Sequence, residues 1–308
     1  MPNSEKDLGI VVGVDGSSSS KSAIRWAAHE ARMRNVPLTL VHVVVTPSWG
    51  PTPWLLSDAP LPVPAEQDPA LEESGRKIIA EAIKVVEDSA EDGVLTEIKS
   101  ELYFSVPVST LVKLSKQAQM VAVGCRGQNT MSRVLLGSVS NGLLHHAHCP
   151  VVVIHDSVPS SQKRSNLPVV VGVDGSSASE LATEIAFDEA SRRGVDLVAL
   201  HAYRDEDLPQ VLNVQWSGDN PIPPQALADR LTGWLERYPD VTIHPRIVCD
   251  NPARHLIDES ESAQLVVVGS RGRGGFAGML LGSVSTAVAH AANVPVIVAR
   301  QGFTGQCE

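Results

Sequence analysis

Cysteine is scarce in this chain. Four cysteines occur among 308 residues, at positions 125, 149, 249 and 307, and none of them forms a Cys-x-x-Cys pair. Such wide spacing argues against a disulfide framework and favours a reducing compartment, so we expect a cytoplasmic protein. Residues 1–7 are polar and include both charges, which is not the pattern of a signal peptide.

Long apolar runs and a basic surplus are also lacking. No run approaches the roughly 18 apolar residues of a membrane span, so the sequence predicts no membrane insertion. Lysine and arginine total 25 against 35 acidic residues, a net charge of −10. Nucleic acids and anionic membranes select for positive surfaces, which argues against both as main partners. The hydrophobic content of 43% and the chain length are typical of about two globular domains.

The sequence contains an internal repeat. The segments 10–18 and 169–177 both read Val-Val-Gly-Val-Asp-Gly-Ser-Ser after their first residue, and their aspartates are 174 − 15 = 159 positions apart. Glycine-rich loops at Gly124 and Gly269 repeat with an offset of 269 − 124 = 145. We interpret the chain as a tandem duplication, with domains at 1–156 and 167–308 and a polar linker at 157–166.

In each half, short β-branched runs alternate with segments of helical periodicity. This order predicts an α/β fold, an open parallel sheet with helices on both faces and right-handed crossovers. Ligands of such sheets bind at the carboxyl ends of the strands. If predicted strands one and four are neighbours, Asp15 and the Gly124 loop flank one crevice, and Asp174 and the Gly269 loop flank another.

The stretch 269–285 carries the main functional signal. It follows the apolar run Leu265–Val268 and precedes a predicted helix that begins at Ser283. Glycines let backbone N–H groups approach a ligand, and a helix N-terminus offers unpaired donors and the positive end of its dipole. With Arg271 and Arg273, these features predict a phosphate site. The spacing Gly-x2-Gly-x9-Gly-Ser occurs in the first half as well.

The repeated motifs resemble the universal stress protein family, specifically its tandem, two-domain members. The resemblance rests on Val-Asp-Gly-Ser after strand one, the Val-Gly-x-Arg-Gly loop, the Gly-Ser-Val-Ser element and a closing Pro-Val strand, each present twice. It covers nearly the whole chain. It implies an adenine nucleotide alpha hydrolase-like fold, with two tandem open parallel five-stranded sheets in the order 3-2-1-4-5.

The resemblance also implies ATP as a ligand, with or without Mg²⁺. Asp15 and Asp174 are then expected at the adenosine end, and the strand-two backbone near Val41 and Leu200 beside the adenine. The loops and the following helices are expected to surround the ribose and phosphates. These residues are Gly13, Gly124, Cys125, Arg126, Gly127, Gln128, Asn129, Thr130, Gly137, Ser138, Val139 and Ser140 in the first half, and Gly172, Gly269, Ser270, Arg271, Gly272, Arg273, Gly274, Gly275, Gly282, Ser283, Val284 and Ser285 in the second. We expect both halves to bind.

Some of these residues have other interpretations. Each aspartate side chain could cap its own turn, which would not exclude ligand contact. Cys125 could have a redox role within its loop. The cluster of His145, His146, His148 and Cys149 suggests a metal, but the second half lacks an equivalent set and we predict no metal site.

Three functions stay open from the sequence. A regulator of stress response or growth would bind ATP and present ordered loops to a protein partner. A slow ATPase or nucleotide-processing enzyme has support only from the arginines, because neither glycine loop contains lysine and no Gly-x4-Gly-Lys loop occurs. A structural module would pair the two exposed final strands into a pseudo-dimer. The resemblance further suggests a homodimer.

Overall fold

The computed structural model describes residues 8–45, 68–89, 97–127, 136–155, 164–203, 224–273 and 280–300. The first half contains β1 (Ile10–Gly13), α1 (Ser18–Arg34), β2 (Leu38–Val45), α2 (Pro69–Asp88), β3 (Ile98–Ser105), α3 (Pro107–Leu114), β4 (Met120–Gly124), α4 (Ser138–His146) and β5 (Val151–Ile154). The second half contains β6 (Val169–Gly172), α5 (Ser177–Arg193), β7 (Leu197–Tyr203), α6 (Pro224–Arg237), β8 (Ile243–Cys249), α7 (Pro252–Ser260), β9 (Leu265–Gly269), α8 (Ser283–Ala291) and β10 (Val296–Ala299). The predicted alternation of strands and helices is confirmed in both halves.

The strands form a single ten-stranded sheet in the order β3-β2-β1-β4-β5-β10-β9-β6-β7-β8. Each half keeps the predicted parallel order 3-2-1-4-5. The two five-stranded sheets join into one, because β5 and β10 pair antiparallel with Val152 opposite Ile297, the pairing that the structural-module interpretation expected. An unpaired final strand would expose a row of backbone donors and acceptors, and this pairing covers both rows. The two halves therefore form a pseudo-dimer within one chain.

The first helix of each half begins and ends in the way that its sequence predicts. Ser17 and Ser176 are the N-caps, and each hydroxyl accepts a hydrogen bond at 3.2 Å from the backbone N–H three residues later. The helices end at Asn35 and Gly194, which have left-handed φ values of 50° and 63°. The repeat is thus preserved in the individual hydrogen bonds of the helix termini.

Helices cover both faces of the sheet, and each face has a core that spans both halves. The core under α1, α2, α5 and α6 includes Phe187, and the core under α3, α4, α7 and α8 includes Leu111. On β10, Ile297 faces the first core and Val296 the second, since side chains alternate along a strand. The seam between the halves is therefore part of a continuous hydrophobic interior.

Four charged side chains meet at the seam between α1 and α5. Arg34 contacts Glu30 and Glu189, each at 2.5 Å. Arg193 contacts Glu30 at 2.5 Å and Glu189 at 2.9 Å. Both glutamates have 0% exposure. The quartet is symmetric, since 189 − 30 and 193 − 34 both equal the repeat offset of 159.

The two buried glutamates have opposite pKa shifts. Burial, followed by the charge of Glu189, raises the pKa of Glu30 from 4.5 to about 8. Burial acts in the same direction on Glu189, but Arg193 and Arg34 outweigh it and lower the pKa of Glu189. The opposite shifts indicate that the pair binds one proton near neutral pH, and we assign that proton to Glu30.

We predict that Glu30→Gln removes a pH dependence of folding stability. The folded chain keeps a proton on Glu30 that the unfolded chain releases above its ordinary pKa of 4.5. The contribution of Glu30 to the free energy of unfolding therefore falls as the pH rises through this window to about 8 and then levels off. Glutamine cannot ionise, so the variant should gain stability relative to the wild type across the same window. Urea unfolding at several pH values measures the difference.

Glu189→Gln is the matched control, because it changes the symmetric residue in the same buried quartet. It removes the ionised carboxylate that both arginines contact and should destabilise the protein by about 3–5 kcal/mol. Identical pH profiles for Glu30→Gln and the wild type would contradict the assignment of the shared proton to Glu30.

Candidate functional site

The candidate crevices lie where neighbouring parallel strands end. β1 pairs with β4 in the first half, and β6 pairs with β9 in the second. The expected neighbourhood of strands one and four is confirmed. After strand one, Gly16 and Gly175 have φ values of 82° and 77°, which turn the chain sharply into the helix.

Asp15 and Asp174 organise the turns after these strands. Oδ1 of Asp15 accepts a hydrogen bond from the backbone N–H of Ser17 at 2.9 Å. Oδ1 of Asp174 accepts one from the backbone N–H of Ser176 at 2.9 Å and another from its hydroxyl at 2.7 Å. The interpretation that each aspartate caps its own turn is confirmed, and Oδ2 of each remains directed to the glycine loop.

The glycine loops contact these second carboxylate oxygens. The backbone N–H of Arg273 donates to Oδ2 of Asp174 at 3.2 Å. A Cβ on Gly272 would lie 2.4 Å from the same oxygen, and a Cβ on Gly127 would lie 2.8 Å from Oδ2 of Asp15. Only glycine allows so close an approach. The structure therefore brings together the aspartate and the loop that the sequence placed in one crevice.

Serines at the start of α1 and α5 also hold the loops. The hydroxyl group of Ser17 donates to the carbonyl of Arg126 at 3.3 Å. The hydroxyl group of Ser176 lies 3.2 Å from the carbonyl of Arg271 and shares its one hydrogen between this oxygen and Oδ1 of Asp174. Ser19 adds a bond of 2.5 Å to the Arg126 carbonyl. A serine before a helix indicates an N-cap, and that pattern does not reveal this second contact. The recurrence of this serine at the repeat offset, 176 − 17 = 159, was the sequence feature that could have indicated the second contact.

Gly124 and Gly269 serve the packing of the loops on the helices. A Cβ on Gly124 would lie 2.7 Å from the carbonyl carbon of Ser19, and one on Gly269 would lie 2.8 Å from that of Ala178. Real Cβ atoms do not approach backbone so closely, so a side chain here would displace the first turn of α1 or α5. These glycines set the position of the crevice wall.

The expected residues of strands one and two are enclosed. A Cβ on Gly13 or Gly172 would lie 3.1 Å from a leucine methyl group of the helix behind the strand. Val41 and Leu200 are each 1% exposed, and their carbonyls accept hydrogen bonds of 2.8 Å from the residue after strand one. In each half, the glycine of strand one and the enclosed residue of strand two therefore shape the floor of the crevice through their backbone.

Two histidines that sequence analysis did not assign to the site border the crevices. Nδ1 of His42 bonds to the carbonyl of Val14 at 2.7 Å, and Nδ1 of His201 bonds to that of Val173 at 2.6 Å. These carbonyls directly precede the aspartates, so each imidazole fixes the backbone that carries the carboxylate. The signal was again the repeat, since 201 − 42 = 159.

The helices after the glycine loops begin without a side-chain cap. Gly137 and Gly282 are the N-cap residues of α4 and α8. Their own N–H groups donate to the carbonyls of Cys125 and Ser270 at 2.7 and 2.8 Å, which folds each loop back on its helix. The first-turn N–H groups and the positive end of the dipole are therefore available to an anion.

The first three residues of α4 and of α8 pass from exposed through half-buried to buried. Ser138 and Ser283 are exposed at the helix tips. Ser140 and Ser285 are buried, and their hydroxyl groups donate to the carbonyls of Gly124 and Gly269 at 2.8 and 2.6 Å. The half-buried residues between them, which pack against the core, are Val139 and Val284.

The remaining expected residues differ in accessibility. Arg126 is half-buried, whereas Arg271 and Arg273 are exposed. Cys125 is 1% exposed and its counterpart Ser270 is 7% exposed, so Cys125 does not present the accessible thiol that a redox role needs. The expected residues that lie outside the described part of the chain are Gln128, Asn129, Thr130, Gly274 and Gly275.

Within the described residues, no three His, Cys, Asp or Glu side chains are grouped so that they could hold a metal ion. The same part of the chain has no helix long and apolar enough to cross a membrane.

Comparison with known proteins decides the family. The model of the universal stress protein family matches this chain twice, at residues 9–155 and 166–300. The chain belongs to the universal stress protein family. A universal stress protein of Mycobacterium tuberculosis H37Rv is 50% identical over 304 residues, which cover 99% of this chain and 100% of the relative. One from Mycolicibacterium smegmatis is 48% identical over 303 residues, with 97% and 99% covered.

A solved structure supports the fold of this universal stress protein. The crystal structure of a universal stress protein from Archaeoglobus fulgidus has a TM-score of 0.70 and 23% sequence identity, with 96% of this chain and 99% of that chain covered. At this identity the likeness shows the fold alone.

We predict that Gly269→Ala destabilises the second half. The new methyl group would overlap the backbone of Ala178, and overpacking of this kind costs about 1–3 kcal/mol. Gly233→Ala is the control, because no heavy atom lies within 4 Å of its Cβ position in the interior of α6. That change should stabilise the protein by about 0.5–1 kcal/mol. Thermal unfolding compares them, and a wild-type midpoint for Gly269→Ala would refute the packing role.

Proposed function

We propose that this universal stress protein binds ATP in each half and acts as a nucleotide-dependent regulator. The main support is that the same three elements converge in both halves: an aspartate, a glycine loop and a helix N-terminus without a side-chain cap. A helix N-terminus suits a phosphate, and a carboxylate at the end of a neighbouring strand suits the hydroxyl donors of a ribose.

The charges of the second crevice suit the same ligand. Arg271 and Arg273 are exposed next to the loop and can form charge-assisted hydrogen bonds with phosphate oxygens. The absence of a Cβ at Gly272 lets the loop backbone lie against Oδ2 of Asp174, beside which the nucleotide is proposed to bind. Phosphate oxygens and water are expected to supply most ligands of an accompanying Mg²⁺ ion.

A regulatory role fits better than efficient hydrolysis. Neither glycine loop contains a lysine, and Asp15 and Asp174 each use one carboxylate oxygen in their own turn. ATP that is held rather than consumed can favour one arrangement of the loops, which a protein partner then recognises. The proposal also includes a homodimer, a cytoplasmic location and a role in the stress response.

We predict that calorimetry detects two ATP sites per chain, one in each half. Asp174→Asn should weaken one site by about 10–100-fold, the equivalent of losing a hydrogen bond to a charged group, and leave the other unchanged. Asp15→Asn should do the same to the other site. Asp240→Asn is the control, because Asp240 bonds to Ser191 on the surface, away from both crevices. The proposal fails if no heat is detected and purified protein releases no nucleotide.

Slow ATP hydrolysis is the second candidate, favoured by the two exposed arginines beside the start of α8. On the regulatory proposal, phosphate release with ATP and Mg²⁺ should equal the buffer control. Turnover above that background that disappears in Asp174→Asn would favour the enzyme. The same background in wild type and variant would exclude it for the second site.

A further inference from the structure

A cleft of about 800 Å³ lies at the seam between the halves. One wall consists of α3 and the C-terminal end of α4. The other consists of the start of α5, Ser270, Arg271 and the end of β10. Asp174 and the first turn of α8 do not line the cleft, which therefore adjoins the second nucleotide crevice and shares Ser270 and Arg271 with it. Its volume is that of a small-molecule site.

Positive charge is concentrated in this cleft. Arg271 and Arg300 line it, and the described lining residues include no aspartate or glutamate. The chain as a whole has a net charge of −10, so this cleft is positive within a negatively charged protein. Burial, together with the nearby charge of Arg271, lowers the pKa of Arg300. Two cations without a carboxylate between them favour an anion.

Arg300 is held in position by backbone carbonyls. Its Nε donates to Ala147 at 3.1 Å and one terminal nitrogen donates to His145 at 2.7 Å. The other terminal nitrogen donates to Leu144 and Leu280. Because three of these carbonyls end α4, a residue of the second half caps a helix of the first. These bonds use four of the five guanidinium N–H groups, so the guanidinium is preorganised and one N–H remains for a ligand.

The rest of the cleft is largely apolar. One side of it is formed by Val108 and Val112 of α3 and by the N-cap of that helix, Val106. Opposite them are Leu181 of α5 and Leu280 at the end of the glycine loop. Val106 is 53% exposed and Leu280 is 47% exposed. A ligand with an apolar body would bury this surface, at about 25 cal/mol per Å².

This apolar wall is not a consequence of the repeat. With the offset of 145, Val106 corresponds to Asn251 and Val108 to Ala253. With the offset of 159, Leu181 corresponds to Ser22. These three equivalent positions are smaller or polar, whereas Val112 and Leu280 correspond to Ile257 and Leu135. Arg300 corresponds to His155, since 300 − 145 = 155, so the pair of arginines is specific to this side of the seam.

We propose that the seam cleft binds one small amphipathic anion. A carboxylate or phosphate head group lies beside Arg271 and Arg300, and an acyl or aryl body lies along α3 and Leu181. Charge-assisted hydrogen bonds orient the head group, and burial of the body supplies the remaining affinity. The cleft shares Ser270 and Arg271 with the proposed nucleotide site of the second half but does not include Asp174, so a variant of Asp174 distinguishes the two sites.

Anilinonaphthalene sulfonate, an aryl anion whose fluorescence increases in apolar surroundings, is a suitable probe. We expect one probe per chain in a fluorescence titration of the folded protein. Arg271→Gln should weaken its binding by about tenfold or more, the usual effect of losing a hydrogen bond to a charged group. Arg126→Gln is the matched control, since it changes the equivalent residue, 271 − 126 = 145, which does not line the cleft. Equal weakening in both variants overturns the proposal.

Val106 provides an independent pair of variants. It is the N-cap of α3 and makes no side-chain capping bond, so Val106→Asp and Val106→Asn should both support the helix and fold. The two side chains have the same shape and differ in charge. The aspartate variant should bind the probe more weakly than the asparagine variant, because like charges repel in a partly desolvated cleft. Equal affinities of both variants and the wild type contradict the assignment.

Competition identifies the head group. Dodecanoate and dodecyl phosphate, below their micellar concentrations, should displace the probe, and the stronger competitor identifies a carboxylate or a phosphate ligand. Dodecyltrimethylammonium should not displace it, and equally strong displacement by this cation would show a merely apolar surface and overturn the proposal. Asp174→Asn should leave probe affinity unchanged. A loss of affinity there would mean that the probe occupies the nucleotide crevice instead.

Discussion

Across the β5–β10 ladder, Val151, Val152 and Val153 oppose Val298, Ile297 and Val296, and all six side chains are fully buried. This short antiparallel contact determines the shape of the whole molecule. It joins two parallel sheets, extends both hydrophobic cores across the seam, and brings α1 against α5 so that Glu30 and Glu189 meet their arginines. The quartet forms only because the seam fixes both helices. Separating the charges of such a quartet leaves a buried charge uncompensated, which disfavours other arrangements of α1 and α5.

The candidate sites depend on a second constraint, the closeness of backbone to backbone at the ends of the strands. Gly124 and Gly269 allow the first turns of α1 and α5 to contact the ends of β4 and β9. That contact places Ser17 and Ser176 within reach of the loop carbonyls, and the aspartates within reach of Gly127 and Gly272. The packing of the loop on the helix therefore determines the shape of the crevice. The chemistry of the crevice depends on which backbone groups this packing leaves accessible.

Much of this architecture was predictable from the sequence. The two offsets of 159 and 145 identified the duplication, and periodicity gave the order of strands and helices within each half. What local patterns could not provide are contacts between distant residues. Glu30 appears in the sequence as an ordinary polar position of a helix, and its burial follows only from the seam. Gly124 and Gly269 suggested ligand approach, but their closest neighbours belong to a helix about a hundred residues earlier in the chain.

The antiparallel seam has one more consequence. All strands of a half are parallel, and the strands of the two halves run in opposite directions. The carboxyl ends of the strands of one half therefore lie on the side of the molecule opposite to those of the other half. The two crevices accordingly open away from each other. The glycine loops of the two halves therefore lie on opposite sides of the molecule. The duplication gives the chain two equivalent crevices that face in opposite directions rather than one enlarged pocket.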